Sequence, residues 1–257
     1  MGYNKIISYG DTLELYEYEK DIFTYRRTII QDRKDEFSVS DLGINGEDNL
    51  SERKLGKRQD NANRARLAFK RIVSANLGRS TSPLLVTLTY RDNITDLKKS
   101  YRHLSSFIQS LRHKYGKEFR YVCVPEFQRR GAVHFHALFW GLPKEIFLLE
   151  RKNREIARLW SWGFVFLKET DGSDKLSFYL SKYMAKAFID PRLKNQKCYV
   201  SSRNILRPRI ITGVPSSGLE IVFNDLGIYE NDKPLVDRTY STSWLGEGRY
   251  RLFKRKL

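Results

Sequence analysis

The chain has little cysteine and no long hydrophobic run. Its 257 residues include two cysteines, Cys123 and Cys198, which are too few for a disulfide framework and do not form a metal-binding spacing. Such low cysteine usage is typical of a reduced, intracellular protein. The chain also lacks a charged-then-apolar N-terminal signal and a run of about 18 apolar residues that could cross a membrane. We therefore expect a cytoplasmic protein without a membrane partner.

Acidic residues are scarce outside the N-terminal part. Lys and Arg number 47 against 30 Asp and Glu, which gives a net charge of +17. Residues 51–210 alone have a net charge of +21, whereas residues 1–50 have −5 and residues 211–257 have +1. A charge of this size indicates a polyanionic partner. Its concentration in one block is typical of a nucleic-acid face beside neutral appendages, although a basic surface without function would look the same.

The hydrophobic spacing predicts an α+β fold. Strands are expected over 84–90, 119–128, 132–140 and 163–168, and helices over 61–76, 97–116, 144–161 and 174–188. A turn at Arg129-Arg130-Gly131 joins the second and third strands as an antiparallel hairpin. We divide the chain into an N-terminal appendage of uncertain fold (1–50), a main domain (51–215) and a C-terminal extension with a basic tail (216–257).

Two histidines separated by one residue, His134 and His136, lie in the third predicted strand. Alternate residues of a strand share a face, so the two imidazoles can converge on one metal ion. In a hairpin centred near Arg130, Glu126 stands opposite His134 with Cβ atoms about 5 Å apart. A His/His/Glu set suits Mg²⁺ or Mn²⁺ and leaves positions open for a phosphate oxygen. The alternative is a pair of hydrogen-bonded core histidines.

Two tyrosines, Tyr179 and Tyr183, are four residues apart in the last predicted helix and therefore share a face. Each is followed three residues later by a lysine, Lys182 or Lys186. A phenol has a pKa near 10, and a nearby positive charge favours the phenolate that can attack phosphorus. The alternative is an amphipathic surface helix that uses its tyrosines for packing.

Three motifs, taken in order, resemble a known family. They are Val86-Thr87-Leu88-Thr89-Tyr90, then Pro125 to His136 with both histidines, then Tyr179-Leu180-Ser181-Lys182-Tyr183-Met184-Ala185-Lys186. They resemble the rolling-circle replication initiators of the HUH endonuclease superfamily, in particular those of filamentous phages and small bacterial plasmids. The resemblance covers about residues 60–210.

The resemblance implies a fold and an activity. The fold would be a four- or five-stranded antiparallel sheet with the histidines on a central strand and the tyrosine helix packed across its face. His134, His136 and Glu126 would hold Mg²⁺ or Mn²⁺, and a tyrosine would nick single-stranded origin DNA at a hairpin. The products would be a 5′-phosphotyrosine link and a free 3′-OH, and a later 3′-OH would reseal the strand. No Gly-x-x-x-x-Gly-Lys sequence is present, so a host helicase would unwind the duplex and a host polymerase would extend the primer.

Two other functions fit the same residues. One is a transposase or mobilisation relaxase with the same chemistry, and the other is a non-catalytic binder of single-stranded nucleic acid. In every case we expect basic residues to contact phosphates, on helix 61–76 and in segment 196–210. The candidates are Arg129, Arg130, Arg203 and Arg207.

Overall fold

A computed structural model of the chain describes residues 3–19, 47–77, 82–143, 145–148, 150–170, 190–193, 196–242 and 246–255. The chain divides into two compact units, one formed by residues 52–206 and the other by residues 1–51 with 207–257. Each unit contains one five-stranded antiparallel sheet. The predicted α+β class with a central antiparallel sheet is confirmed.

The sheet of the 52–206 unit has five strands in the order β6-β3-β5-β4-β7. They are β3 (Leu84–Tyr90), β4 (Arg120–Phe127), β5 (Val133–Trp140), β6 (Gly163–Glu169) and β7 (Val200–Ser201). The histidine strand β5 is central, with β3 on one side and β4 on the other. Strand β6 forms one edge of the sheet.

Helices pack against one face of this sheet. Along β3 the side chains alternate between buried and half-buried, because successive residues point to opposite faces. The fully buried set, which includes Leu88 and Phe135, packs against α2 (Leu97–Tyr115) and α4 (Glu150–Leu159). In α2 the buried residues recur every three or four positions, so one stripe of the helix faces the sheet. The short helix α3 (Glu145–Leu148) precedes α4.

Among the described helices, a different one covers part of the opposite face. Helix α1 (Glu47–Asn76) packs Phe69 and Val73 against Val122, Leu138 and Trp140. It begins well before the helix predicted at 61–76. The strand residues that it touches lie towards one end of β4 and β5. The other end of the same face carries polar side chains, including both histidines.

The other unit joins the two ends of the chain in one sheet, in the order β8-β1-β2-β10-β9. Its elements are β1 (Tyr3–Tyr9), β2 (Thr12–Tyr18), β8 (Arg209–Pro215), α5 (Leu219–Asp225), β9 (Val236–Thr242) and β10 (Gly246–Lys254). Residues 1–50 and 216–257 were predicted as separate appendages, and 207–215 was assigned to the main domain. The structure differs because β8 pairs with β1, which sets Ile211 opposite Ile6.

The described part of the chain includes no helix with the length and apolar character that a membrane span requires.

Helix α2 depends on a cap at its first turn. The Asp96 carboxylate accepts hydrogen bonds from the backbone N–H groups of Lys98 and Lys99, and the bond from Lys99 is the main reason that the pKa of Asp96 is lowered. We predict that Asp96→Ala accelerates hydrogen exchange of the first-turn amides of α2, whereas Asp96→Asn retains most of the protection. Because the folded-state pKa is depressed, the ionic contribution is complete above the unfolded pKa near 3.8 and is lost as pH falls below it. Equal exchange rates in Asp96→Ala and wild type at neutral pH would contradict the prediction.

Candidate active site

The two histidines project from β5 towards the partly open face of the sheet. Phe135, between them, points the other way and is fully buried under the helices, while both histidines are half-buried. Their ring centroids are 4.6 Å apart. Directly opposite on β3 stand Thr89, across from His134, and Thr87, across from His136. Two threonines and two imidazoles therefore form two adjacent rows on one face.

The β4–β5 hairpin adds a carboxylate to these rows. The chain reverses through residues 128–132, where Gly131 takes a φ of +89° that favours glycine. Its N–H donates to the Gln128 carbonyl over 2.8 Å. The resulting register sets Glu126 opposite His134, as the sequence predicted. This prediction is confirmed.

Hydrogen bonds orient both imidazoles. The Thr89 hydroxyl lies 2.9 Å from Nδ1 of His134, and the Thr87 hydroxyl lies 3.3 Å from Nδ1 of His136. On its other side, Nε2 of His136 lies 2.8 Å from Oε2 of Glu126. With Nδ1 bound to a hydroxyl, each ring directs Nε2 away from β3. We refer to His134, His136 and Glu126 as the histidine cluster.

The surroundings of His134 keep it neutral. Burial, and to a smaller extent the neighbouring His136, lower its pKa from 6.5 to about 4, whereas Glu126 opposes the shift. A neutral imidazole has a lone pair available to bind a metal ion or accept a proton.

The donors of the histidine cluster fit a divalent cation in their chemistry. Two imidazole nitrogens and a carboxylate suit Mn²⁺ or Mg²⁺ when further positions are left to water or phosphate. A histidine that binds a metal through one ring nitrogen commonly forms a hydrogen bond through the other. Here Thr87 and Thr89 are those partners, at Nδ1 of His136 and His134. Among the described residues, however, no three His, Cys, Asp or Glu side chains are arranged to hold a metal ion. In this structure the Glu126 carboxylate contacts His136 itself.

The predicted nucleophiles Tyr179 and Tyr183, with Lys182 and Lys186, fall in segment 171–189, outside the described residues. The residues on either side of this segment are anchored to the sheet of the histidine cluster. Before it, the Thr170 hydroxyl donates to the carbonyl of Pro83, just ahead of β3. After it, the Arg192 guanidinium lies 4.0 Å from the ring centroid of Phe127, the last residue of β4. Arg192 also forms an ion pair with Asp190.

The four arginines predicted to contact DNA occupy different positions. Arg129 is exposed at the hairpin turn. Arg130 donates hydrogen bonds to Gln128 and to the carbonyls of Tyr90 and Arg91, so its guanidinium ties the turn to the end of β3.

Arg203 lines a cavity of about 700 Å³ together with Arg112, Lys117, Glu118, Tyr121, Ser201, Ser202 and Asn204. Arg207 is exposed and belongs to the other unit, where it is the first residue of the segment 207–257. Within the 52–206 unit, the cavity of Arg203 lies beside Tyr121 near the start of β4, whereas Arg129 and Arg130 follow the end of that strand.

Sequence reasoning gave no role to Thr87 and Thr89. They lie in the first motif, and their spacing of two residues matches that of His134 and His136. This equal spacing could have indicated the contacts, because two residues separated by one on each of two neighbouring strands can stand opposite each other in pairs. Their contacts with the histidines required the β3–β5 register.

Comparison with known proteins associates the chain with replication. Residues 83–188 match the family described as replication-associated protein ORF2/G2P. The chain resembles the replication initiators of phages and plasmids. The resemblance predicted from the three motifs is thus confirmed. The matched range contains both threonines, the histidine cluster and the two candidate tyrosines.

A relative from a phage aligns beyond this range. Replication-associated protein ORF4 of Chlamydia phage 1 is 28% identical over 190 residues, which cover 66% of this chain and 45% of the relative. The chain therefore spans less than half of the length of this relative. No solved structure matches the chain.

The neutral state of His134 can be measured in the metal-free protein. We expect its imidazole to titrate with a pKa of about 4, far below the ordinary 6.5, because burial disfavours the charged form. NMR of ¹³C-labelled histidine rings from pH 3 to 8, with His134→Asn for assignment, follows this titration. Between pH 6.5 and 4 the unfolded chain binds a proton that the folded chain does not, so His134 reduces stability as pH falls. Titration near 6.5 would contradict the buried environment.

Proposed function

We propose that this protein initiates rolling-circle replication by nicking single-stranded origin DNA with a tyrosine nucleophile. The observation that supports it best is the histidine cluster, oriented by Thr87 and Thr89 on the open half of a sheet face. The family match over 83–188 adds the association with replication. The net charge of +17 suits a DNA substrate.

The proposed reaction is an exchange of phosphate esters. The oxygen of Tyr179 or Tyr183 forms a bond to phosphorus, and the bond from phosphorus to the 3′-oxygen breaks. The tyrosine loses its proton, and the leaving 3′-oxygen gains one and becomes a 3′-OH. The strand remains attached through a 5′-phosphotyrosine, so a later 3′-OH can reverse the exchange and rejoin DNA. Lys182 and Lys186 would stabilise the phenolate.

In this proposal the histidine cluster holds Mg²⁺ or Mn²⁺. When bound, such a cation polarises the scissile phosphate as a Lewis acid. Thr87 and Thr89 fix the two imidazoles, and Glu126 supplies negative charge and a hard oxygen ligand. Thr170 and Arg192, which flank the tyrosine segment in the sequence, both contact residues of the same sheet or next to it.

The biological setting follows from this chemistry. We infer that the protein acts in the cytoplasm of a bacterial host on DNA of the phage or plasmid that encodes it. A host helicase would unwind the duplex, and a host polymerase would extend the 3′-OH. A relaxase or transposase would use the same step on a different DNA site.

The decisive test is a covalent adduct. Protein is incubated with labelled single strands that tile the cognate replicon, with Mn²⁺ or with EDTA, and is analysed on denaturing gels. We expect a metal-dependent adduct that Tyr179→Phe with Tyr183→Phe abolishes, because phenylalanine keeps the ring and removes the nucleophilic oxygen. The single variants identify the residue that attacks first.

Tyr229→Phe, an exposed tyrosine in the other unit, is the matched control and should retain the wild-type yield. If no strand gives an adduct while binding persists, the protein is a binding module and the proposed function is wrong.

The hydrogen bonds between the two threonines and the two histidines predict an effect on metal binding. We expect Thr87→Val or Thr89→Val to weaken Mn²⁺ binding roughly ten- to a hundredfold, because valine keeps the shape and loses the bond to Nδ1. Isothermal titration with Mn²⁺ measures this directly, without DNA. Thr212→Val, at an exposed position of β8, should bind Mn²⁺ like wild type. Unchanged affinity in both active-site variants would exclude the orienting role.

A further inference from the structure

Two exposed phenylalanines share a sheet face with the histidine cluster. Phe164 and Phe166, on edge strand β6, are 62% and 61% exposed. Their neighbours Val165 and Leu167 point to the other face and pack against the helix-covered core. Large apolar side chains on an open edge strand invite non-specific pairing with other chains. Their presence therefore calls for a ligand that covers them.

The register places both rings beside the histidines. Phe164 stands opposite Thr89, and Thr89 stands opposite His134. Phe166 stands opposite Thr87, and Thr87 opposite His136. Strands β6 and β5 are two strand spacings apart, roughly 10 Å. Each ring thus begins a row that continues through a threonine to a histidine.

Two exposed cations lie beside this aromatic edge. Lys168 follows Phe166 on the same face of β6 and is exposed, and Arg91 is exposed just after β3. Flat aromatic rings alternating with cations are the means by which proteins hold single-stranded nucleic acid, since bases stack on the rings and phosphates contact the cations. A purely apolar partner would leave Lys168 without a complementary charge.

We propose that Phe164 and Phe166 form a base-stacking platform for the single strand whose phosphate lies at the histidine cluster. This placement of the phosphate rests on the proposed function, whereas stacking itself does not require cleavage. The rings hold bases that are unpaired and lie within a few nucleotides of that phosphate. Because paired bases in a duplex do not expose their faces, the platform selects single strands.

The test separates base stacking from phosphate contact. Binding of a fluorescent twenty-nucleotide oligothymidylate is compared with binding of an abasic strand of the same length and charge, by anisotropy in EDTA. The protein carries Tyr179→Phe and Tyr183→Phe, so no chemistry occurs. We expect tighter binding of the base-bearing strand, roughly tenfold for each stacked ring. Phe164→Leu with Phe166→Leu should abolish this preference, and Phe→Tyr at both positions should keep it.

Controls identify any other occupant of the aromatic edge. Tyr229→Leu removes an exposed aromatic ring from the other unit and should leave the base preference unchanged. A preserved preference in the double leucine variant overturns the platform. If the preference is unchanged and the variant alters self-association in sedimentation, a second copy of the chain covers the rings. If the preference is unchanged and the variant lowers the melting temperature, another part of the same chain covers them. If the nicking experiment gives an adduct but the leucine substitutions leave the preference for base-bearing DNA unchanged, the platform alone is refuted. If the preference depends on the two phenylalanines but no adduct forms, only the nicking is refuted.

Discussion

The register between β4 and β5 is the constraint on which the candidate site depends. It is fixed by a turn whose Gly131 has positive φ and donates to Gln128, and by Phe135 and Ala137, which are fully buried on the helix side. A slip of one residue would place Glu126 and the histidines on opposite faces, so that either the carboxylate or the imidazoles would enter the core. Burial of the apolar residues therefore positions the polar ones.

Unequal covering of the two faces creates the space for a site. Of the helices that the structure describes, α2 and α4 bury one face, whereas α1 covers the end of the other face near Leu138 and Trp140. The remaining end carries threonine, histidine and glutamate, which satisfy one another by hydrogen bonds. Half-burial of this end lowers the pKa of His134 and keeps its ring neutral. The same packing that leaves the site accessible thus prepares its electrostatics.

Local patterns were sufficient for β3, β4, β5 and β6, for α2 and for the position of Glu126, because alternation, helical spacing and a short turn act within a few residues of each other. They were insufficient where distant segments meet. The pairing of β8 with β1 joins residues about two hundred positions apart, as Ile211 opposite Ile6 does, and alternation does not specify a strand's partner. The bonds from Thr87 and Thr89 to the histidines were missed for the same reason, although both threonines stood in a recognised motif.

The edge position of β6 makes its aromatic rings more accessible to a ligand than they would be on a central strand. The backbone of Gly163 comes so close to the Thr89 carbonyl that a side chain there would clash, and this contact fixes the register that places Phe164 beside Thr89. At an edge, the outward rings can be reached by a long polymer that also crosses the histidines. An exposed aromatic edge is a risk for solubility, whereas a polyanion that binds there would cover the rings and supply negative charge to a basic surface. Rings, threonines and histidines lie in common rows, and under the proposed function these rows would form one continuous path for a single strand across this part of the sheet.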